Sequence, residues 1–173
     1  MAISVFDLFK IGIGPSSSHT IGPMIAARKF ILSIEESNQL KRVTRIKSEM
    51  YGSLGATGRA HGTPKAIILG LEGEQPEKVD ATLITKRIEK IYSAGRINLL
   101  GKYTINYNRK TDLKLYRKKS LPFHPNGMIF SAFDESGKEL VQKTYYSVGG
   151  GFVVDDSNEN ENYIAEDQTE ITY

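Results

Sequence analysis

The chain of 173 residues contains no cysteine. It therefore forms no disulfide, has no cysteine nucleophile, and cannot by itself hold zinc or an iron–sulfur cluster through thiolates. Tryptophan is also missing, and histidine is limited to three residues. A cysteine-free chain of this kind favours a cytoplasmic location.

Long hydrophobic runs are missing as well. Apolar stretches such as residues 66–69 are far shorter than a membrane-spanning helix requires, so we expect no membrane partner. The N-terminus carries no basic stretch, which argues against a secretory signal. With 39% hydrophobic and 25% charged residues, the composition is that of an ordinary globular domain.

The net charge of +3 conceals an uneven distribution. Seven acidic residues and no Lys or Arg occur from Asp155 onward, which leaves 13 acidic and 23 basic residues in residues 1–154, a net charge of +10. A basic body can attract nucleic acid or a small anion, or can simply be a solubilising surface. The bases are scattered and form no recognisable nucleic-acid motif, so no nucleic-acid partner is expected.

Helical patterns come early in the chain and strand patterns come late. The pattern predicts helices over 21–37 and 63–71 and from 80 or 82 to 93, a glycine-rich turn over 52–58, and strands over 43–51, 102–108, 113–118, 127–134, 140–148 and 152–154. Thr20 or Gly22 is expected to cap the first helix. This order predicts an α+β fold with a mixed, largely antiparallel sheet and helices packed on it. Residues 1–154 are expected to form one domain, and residues 155–173 an acidic linker or tail.

All three histidines occur in turn-like settings flanked by glycine or proline, and loops often carry functional residues. His19 follows Ser16, Ser17 and Ser18 and precedes Thr20, just ahead of the first helix. Hydroxyls and free N–H groups at a helix N-terminus can bind a carboxylate. Simple N-capping explains the same pattern with a single hydroxyl.

His61 and His124 lie in two further turns. His61 precedes the helix predicted from residue 63, and a helix N-terminus favours a neutral imidazole that can act as a base. His124 and Asn126 occupy a rigid His-Pro-Asn-Gly turn that could hold both ends of an amino acid. An ordinary structural turn explains the His61 pattern equally well, and on spacing alone it explains the His124 pattern better than ligand binding does. The histidine spacing does not fit a metal site.

Four segments resemble the bacterial iron–sulfur L-serine dehydratases, also called L-serine ammonia-lyases. They are Ser4–Met24, Tyr51–Thr63, Leu121–Met128 and Thr144–Val153, and the resemblance extends over roughly residues 3–154. It implies the N-terminal β domain of that family, with a fold similar to the allosteric substrate-binding domain of D-3-phosphoglycerate dehydrogenase. The helical α domain, with the cysteines that bind a [4Fe–4S] cluster, is not in this sequence. We therefore expect this chain to be either a fragment of a longer enzyme or a subunit that works with a separate α chain. The acidic tail favours the fragment.

The resemblance also implies roles for individual residues. His61 is expected to be the base that removes the α-proton of L-serine, although His19 could exchange roles with it. Substrate binding is expected from His19 and from the hydroxyls of Ser16, Ser17, Ser18 and Thr20. A regulatory L-serine site is expected at His124 and Asn126. The implied partners are L-serine, the α domain of the same enzyme and a second copy in a homodimer, and the chain alone is expected to be inactive and to bind no cofactor itself. An amino-acid-binding regulatory module without a catalytic role is the alternative.

Overall fold

A computed structural model describes residues 17–156 and 162–163 of the chain. Within them the backbone forms five α-helices, one π-helical turn and eight strands. The π-helical turn is Ser17–Ile21, and the helices are α1 (Gly22–Glu36), α2 (Gly52–Thr57), α3 (Thr63–Leu71), α4 (Ile84–Ala94) and α5 (Arg109–Asp112). The strands are β1 (Arg45–Met50), β2 (Arg96–Leu99), β3 (Tyr103–Asn106), β4 (Leu113–Leu115), β5 (Gly127–Phe133), β6 (Glu139–Gly149), β7 (Phe152–Asp155) and β8 (Asn162–Tyr163).

The principal sheet contains six strands in the order β4-β1-β5-β6-β7-β8. Only the β1–β4 pair is parallel, and the other four pairs of this sheet are antiparallel. Strands β2 and β3 form a separate antiparallel hairpin. The predicted α+β class with a mixed, largely antiparallel sheet is therefore confirmed. The comparison with D-3-phosphoglycerate dehydrogenase stays a prediction.

Helix α1 joins the sheet to helix α3 in one hydrophobic core. The alternation predicted for β1 is observed, with Ile46 and Met50 buried on the core side. Phe30 of α1 stacks on Phe130 of β5 with ring centroids 5.4 Å apart. On its other side α1 packs so closely on α3 that a Cβ at Gly70 would lie 2.3 Å from the Met24 carbonyl oxygen. Glycine at this position sets the spacing of the two helices.

Several predicted boundaries agree with the structure. The helix over 63–71 is found as predicted, and the helix predicted from 80 or 82 begins as a 3-10 turn in which the Asp80 side chain accepts from the Thr82 N–H. It ends at Gly95, which adopts the left-handed conformation with φ 63°. No helix within residues 17–156 is long and apolar enough to cross a membrane.

Other predictions at this level were wrong. The segment 52–58 is not a turn, because Gly52–Thr57 form helix α2. No side chain caps α1; the chain enters it through the π-helical turn, and Ile21 is the N-cap residue. Strand β2 was not predicted, since its four residues are too short for a clear alternation. The acidic linker or tail over 155–173 stays a prediction: residues 162–163 pair with β7, and residues 157–161 and 164–173 lie outside the described residues, as does Ser16.

The close contact of α1 with α3 can be tested by Gly70→Ala. Alanine is favoured over glycine inside a helix by about 1 kcal/mol. Overpacking against backbone costs typically about 1–3 kcal/mol. The added Cβ would also lie 2.9 Å from the Ala27 Cβ, so we expect the clash to prevail and the free energy of unfolding to fall by about 1–2 kcal/mol. Denaturant unfolding measures this change, with the exposed helical substitution Ser93→Ala as a control expected to be close to neutral. Unchanged or increased stability of Gly70→Ala would contradict the packing.

Candidate active site

The π-helical turn Ser17–Ile21 lies against the end of β6 because Gly22 has no side chain. A Cβ at Gly22 would lie 1.9 Å from the Ser147 hydroxyl oxygen, so a larger residue would have to displace the Ser147 side chain. The Ser17 hydroxyl accepts a hydrogen bond of 3.2 Å from the Gly150 N–H. These contacts fix the turn that carries His19.

Two threonines connect the His19 and His61 segments to each other. The Thr20 hydroxyl donates a hydrogen bond of 3.0 Å to the His61 carbonyl oxygen. The Thr63 hydroxyl, in the first turn of α3, donates a short hydrogen bond to the His19 carbonyl oxygen. Both threonines are fully buried. Each histidine therefore has its backbone held by a residue next to the other histidine.

As a result the two imidazoles lie side by side, and we call them the histidine pair. The ring centroids of His19 and His61 are 4.8 Å apart, with the ring planes inclined by 49°. His19 is buried, whereas His61 is half-buried. Of the two imidazoles, that of His61 is therefore the more accessible to a substrate.

Both ring nitrogens of His19 contact serine hydroxyls. Nδ1 lies 2.8 Å from the Ser18 Oγ, and Nε2 lies 3.0 Å from the Ser53 Oγ at the start of α2. Burial, and then the charge of His61, lower the pKa of His19 from its ordinary value of 6.5, while a contact with Ser53 acts in the opposite direction. Since hydroxyls can both donate and accept, they satisfy a neutral imidazole in either tautomer. His19 is therefore held as a neutral ring.

Ser53 also links the histidine pair to the turn at residues 124–126. Its backbone N–H donates a hydrogen bond of 2.8 Å to the Pro125 carbonyl oxygen. Gly52 makes this contact possible, because a Cβ there would lie 2.0 Å from the same oxygen and its φ is +59°. The glycine at position 52 thus allows a close approach between two backbone segments of the chain itself.

The 124–126 turn is fastened to β6 by Asn126. The Asn126 side-chain amide donates to the Ser147 carbonyl oxygen at 3.1 Å, and the Asn126 backbone N–H donates to Nδ1 of His124 at 3.0 Å. A neutral His124 consequently carries its proton on Nε2. The buried Asn126 Oδ1 and the buried Ser147 Oγ have no hydrogen-bond partner among the described residues. A buried acceptor and a buried hydroxyl without partners are costly unless a ligand or water satisfies them.

The structure thus joins most of the predicted site residues. His19 and His61 form the pair, and Ser18 and Thr20 support it. Ser17 anchors the π-helical turn. Ser53 connects the pair to the turn that contains His124 and Asn126. Sequence reasoning assigned no role to Ser53, Thr63 or Ser147. All three lie within the segments that carry the resemblance, Ser53 directly after a glycine and Thr63 two residues after a histidine, but only the packing of three distant turns reveals their contacts.

The described residues contain no group of side chains suited to binding a metal ion. Within residues 17–156, no three side chains of the His, Asp, Glu or Cys type cluster in a way that could hold an ion. The chain has no cysteine. The residues of this chain are therefore not suited to be the ligands of an iron–sulfur cluster.

Comparison with known proteins shows the family to which the sequence belongs. The sequence model of one family, described as "Serine dehydratase beta chain", matches residues 4–158. The chain belongs to the serine dehydratase beta chain family. It is 54% identical over 173 residues to an L-serine dehydratase of Streptomyces coelicolor and 44% identical over 158 residues to L-serine dehydratase 1 of Escherichia coli. The matched regions cover 100% and 90% of this chain. They cover only 38% and 34% of the lengths of these two relatives.

The lowered pKa of His19 predicts acid sensitivity of the fold. In the unfolded chain His19 takes up a proton near pH 6.5, whereas in the folded chain it does so only at lower pH. The stability that the neutral ring contributes is therefore present above pH 6.5 and is lost as the pH falls through the folded-state pKa. Thermal unfolding should show a smaller loss of stability on acidification for His19→Gln than for the natural chain. The exposed substitution Lys41→Gln should leave the acid sensitivity unchanged. Identical pH profiles for His19→Gln and the natural chain would contradict the neutral, buried ring.

Proposed function

We propose that this chain is the β part of an L-serine dehydratase, which converts L-serine to pyruvate and ammonia. The observation that carries the proposal is the histidine pair, in which an accessible imidazole lies against a second imidazole held neutral by burial. The relatives named L-serine dehydratase support the choice of substrate. A cytoplasmic homodimer is part of the same proposal.

The reaction requires removal of a weakly acidic α-proton. In the proposed step the His61 imidazole takes that proton, the Cα–H electron pair becomes the Cα–Cβ double bond, and the Cβ–O bond breaks so that hydroxide leaves and is protonated to water. The resulting enamine becomes an imine, and water hydrolyses the imine to pyruvate and ammonia. A positioned general base contributes roughly 10²–10⁴-fold to such a step.

His19 assists this step by staying neutral. A cationic ring 4.8 Å from His61 would oppose the positive charge that His61 acquires with the proton. Burial keeps the ring uncharged, and the Ser18 and Ser53 hydroxyls hold its orientation. In the proposal His19 and the hydroxyls of Ser16, Ser17, Ser18 and Thr20 bind or support the substrate carboxylate.

This chain has no cysteine that could hold the [4Fe–4S] cluster that the resemblance implies. We propose that its ligands belong to an α domain within the length of the relatives that this chain does not span. When bound, such a cluster supplies a Lewis acid for the serine hydroxyl and carboxylate. The chain alone is then inactive, and its contribution is the histidine pair and the surrounding hydroxyls.

A chimeric enzyme tests the proposal directly. This chain would replace the matching region of the Streptomyces coelicolor L-serine dehydratase, to which it is 54% identical. The chimera should form pyruvate from L-serine, and His61→Gln should lower kcat by about 10²–10⁴-fold with a smaller effect on KM. Lys41→Gln, at an exposed position remote in sequence from the pair, is the matched control and should retain full turnover. A chimera without turnover, or a His61→Gln variant with near-normal kcat, would contradict the proposal.

A regulatory L-serine site is a second candidate function, and the unpaired Asn126 Oδ1 and Ser147 Oγ favour it. A carbonyl oxygen can accept from the ammonium of an amino acid, and a hydroxyl can donate to its carboxylate. His124 offers an Nε2–H donor in the same turn. An amino-acid-binding module that has no catalytic role requires this site alone.

Calorimetry on this chain separates the two candidate functions. We expect heat of binding from millimolar L-serine, and at least about tenfold weaker binding for Asn126→Ala, since a buried hydrogen bond to a charged group is lost. His61→Gln should leave binding at this second site intact. No heat from the natural chain, or equal affinity for Asn126→Ala, would count against the regulatory site without affecting the proposed base.

A further inference from the structure

A cleft with a volume of about 640 Å³ lies beside the His61 segment, on the face where β4 forms the edge of the sheet. Its walls come from the α2–α3 connection, the start of α3, helix α4, helix α5 and the chain from β4 onward. Gly62, the residue after His61, is part of the wall. The volume falls in the range of small-molecule sites, roughly 300–1,000 Å³.

The cleft gathers cationic side chains and no acidic ones. The basic lining residues are Arg59, Lys65, Arg109, Lys110, Lys114 and Arg117. None of these six forms an ion pair with a described carboxylate. Six like charges around one concavity repel each other and leave a strongly positive potential.

Neighbouring carboxylates do not neutralise this potential, because they are engaged elsewhere. Asp112 is buried and accepts from the Arg45 guanidinium at 2.8 Å and from the Asn108 N–H at 2.8 Å. Glu49, which is in register with Lys114, accepts from the Tyr51 hydroxyl at 3.1 Å and lies 3.8 Å from the Lys47 ammonium. The positive charge of the cleft is thus a local property and does not simply reflect the basic composition.

One of the cations is held in place by an aromatic ring. The Arg109 guanidinium carbon lies 4.4 Å from the centroid of the half-buried Tyr92 ring, which also lines the cleft. Stacking leaves the in-plane N–H donors of an arginine available, and this fork suits phosphate or carboxylate oxygens. The Tyr92 ring supplies a flat apolar surface beside them.

We propose that this cleft is a binding site for a small anion with two or more negative charges, of the phosphate or polycarboxylate class. A monovalent anion such as L-serine's carboxylate would leave most of the cationic charge uncompensated. The concave shape, built from five parts of the chain, suits a compact ligand better than an extended acidic peptide. This inference does not depend on the proposed reaction.

Calorimetric titration of this chain with pyrophosphate, citrate and inorganic phosphate tests the inference. We expect saturable binding of pyrophosphate or citrate at low ionic strength, tighter than that of phosphate and weakened by added salt. Binding of pyrophosphate but not of citrate would identify a phosphoryl ligand. Binding of citrate but not of pyrophosphate would identify a polycarboxylate. The double substitution Lys65→Gln with Arg109→Gln should weaken binding by about tenfold or more.

A charge-matched control distinguishes the cleft from the overall positive charge. Lys41→Gln with Lys138→Gln removes two exposed cations that do not line the cleft, and it should change the affinity by less than about twofold. Equal weakening by both double variants, or no saturable binding of any of the three anions, would overturn the site.

Discussion

Two threonine hydroxyls hold the histidine pair together, and the rest of the site is arranged around this contact. Thr20 donates to the His61 carbonyl and Thr63 donates to the His19 carbonyl, across 41 and 44 residues of sequence respectively. Because both threonines are buried, water does not compete for these hydrogen bonds. The bonds can form only while α1 packs closely on α3, and that spacing depends on glycine at position 70. Helix packing therefore determines the distance between the two imidazoles.

The proposed chemistry uses a difference between two identical side chains. His19 is buried between two serine hydroxyls and its pKa is lowered, whereas His61 is half-buried at the end of the α2–α3 connection. Because the neighbouring His19 ring is neutral, the accessible His61 ring can accept a proton without a second positive charge nearby. Ser53 then connects this pair to the turn with Asn126, so that a catalytic and a regulatory role would share one hydrogen-bonded framework.

Much of the fold follows from local sequence, and most of the site does not. Period-two alternation located β1, a high content of aromatic and β-branched residues located β5, and the Thr-Pro start located α3, because these signals lie within a few residues. The serine and histidine string before α1 indicated function, but its expected capping role is replaced by long-range bonds such as that from Thr20. The cationic cleft could not be predicted from the sequence either. Arg59 and Arg117 are remote in sequence, and the basic residues look scattered until the chain folds.

A double-mutant cycle on Thr20→Val and Thr63→Val in the chimeric L-serine dehydratase tests the central claim most directly. If the two hydroxyls hold one catalytic unit, each single variant lowers kcat, and the double variant loses clearly less than the product of the two single losses, with KM for L-serine little changed. Valine keeps the branched shape of threonine, so the cycle reports mainly on the hydrogen bonds. Single variants with unchanged kcat, or losses that multiply to within about twofold, would show that the histidine pair does not depend on this contact.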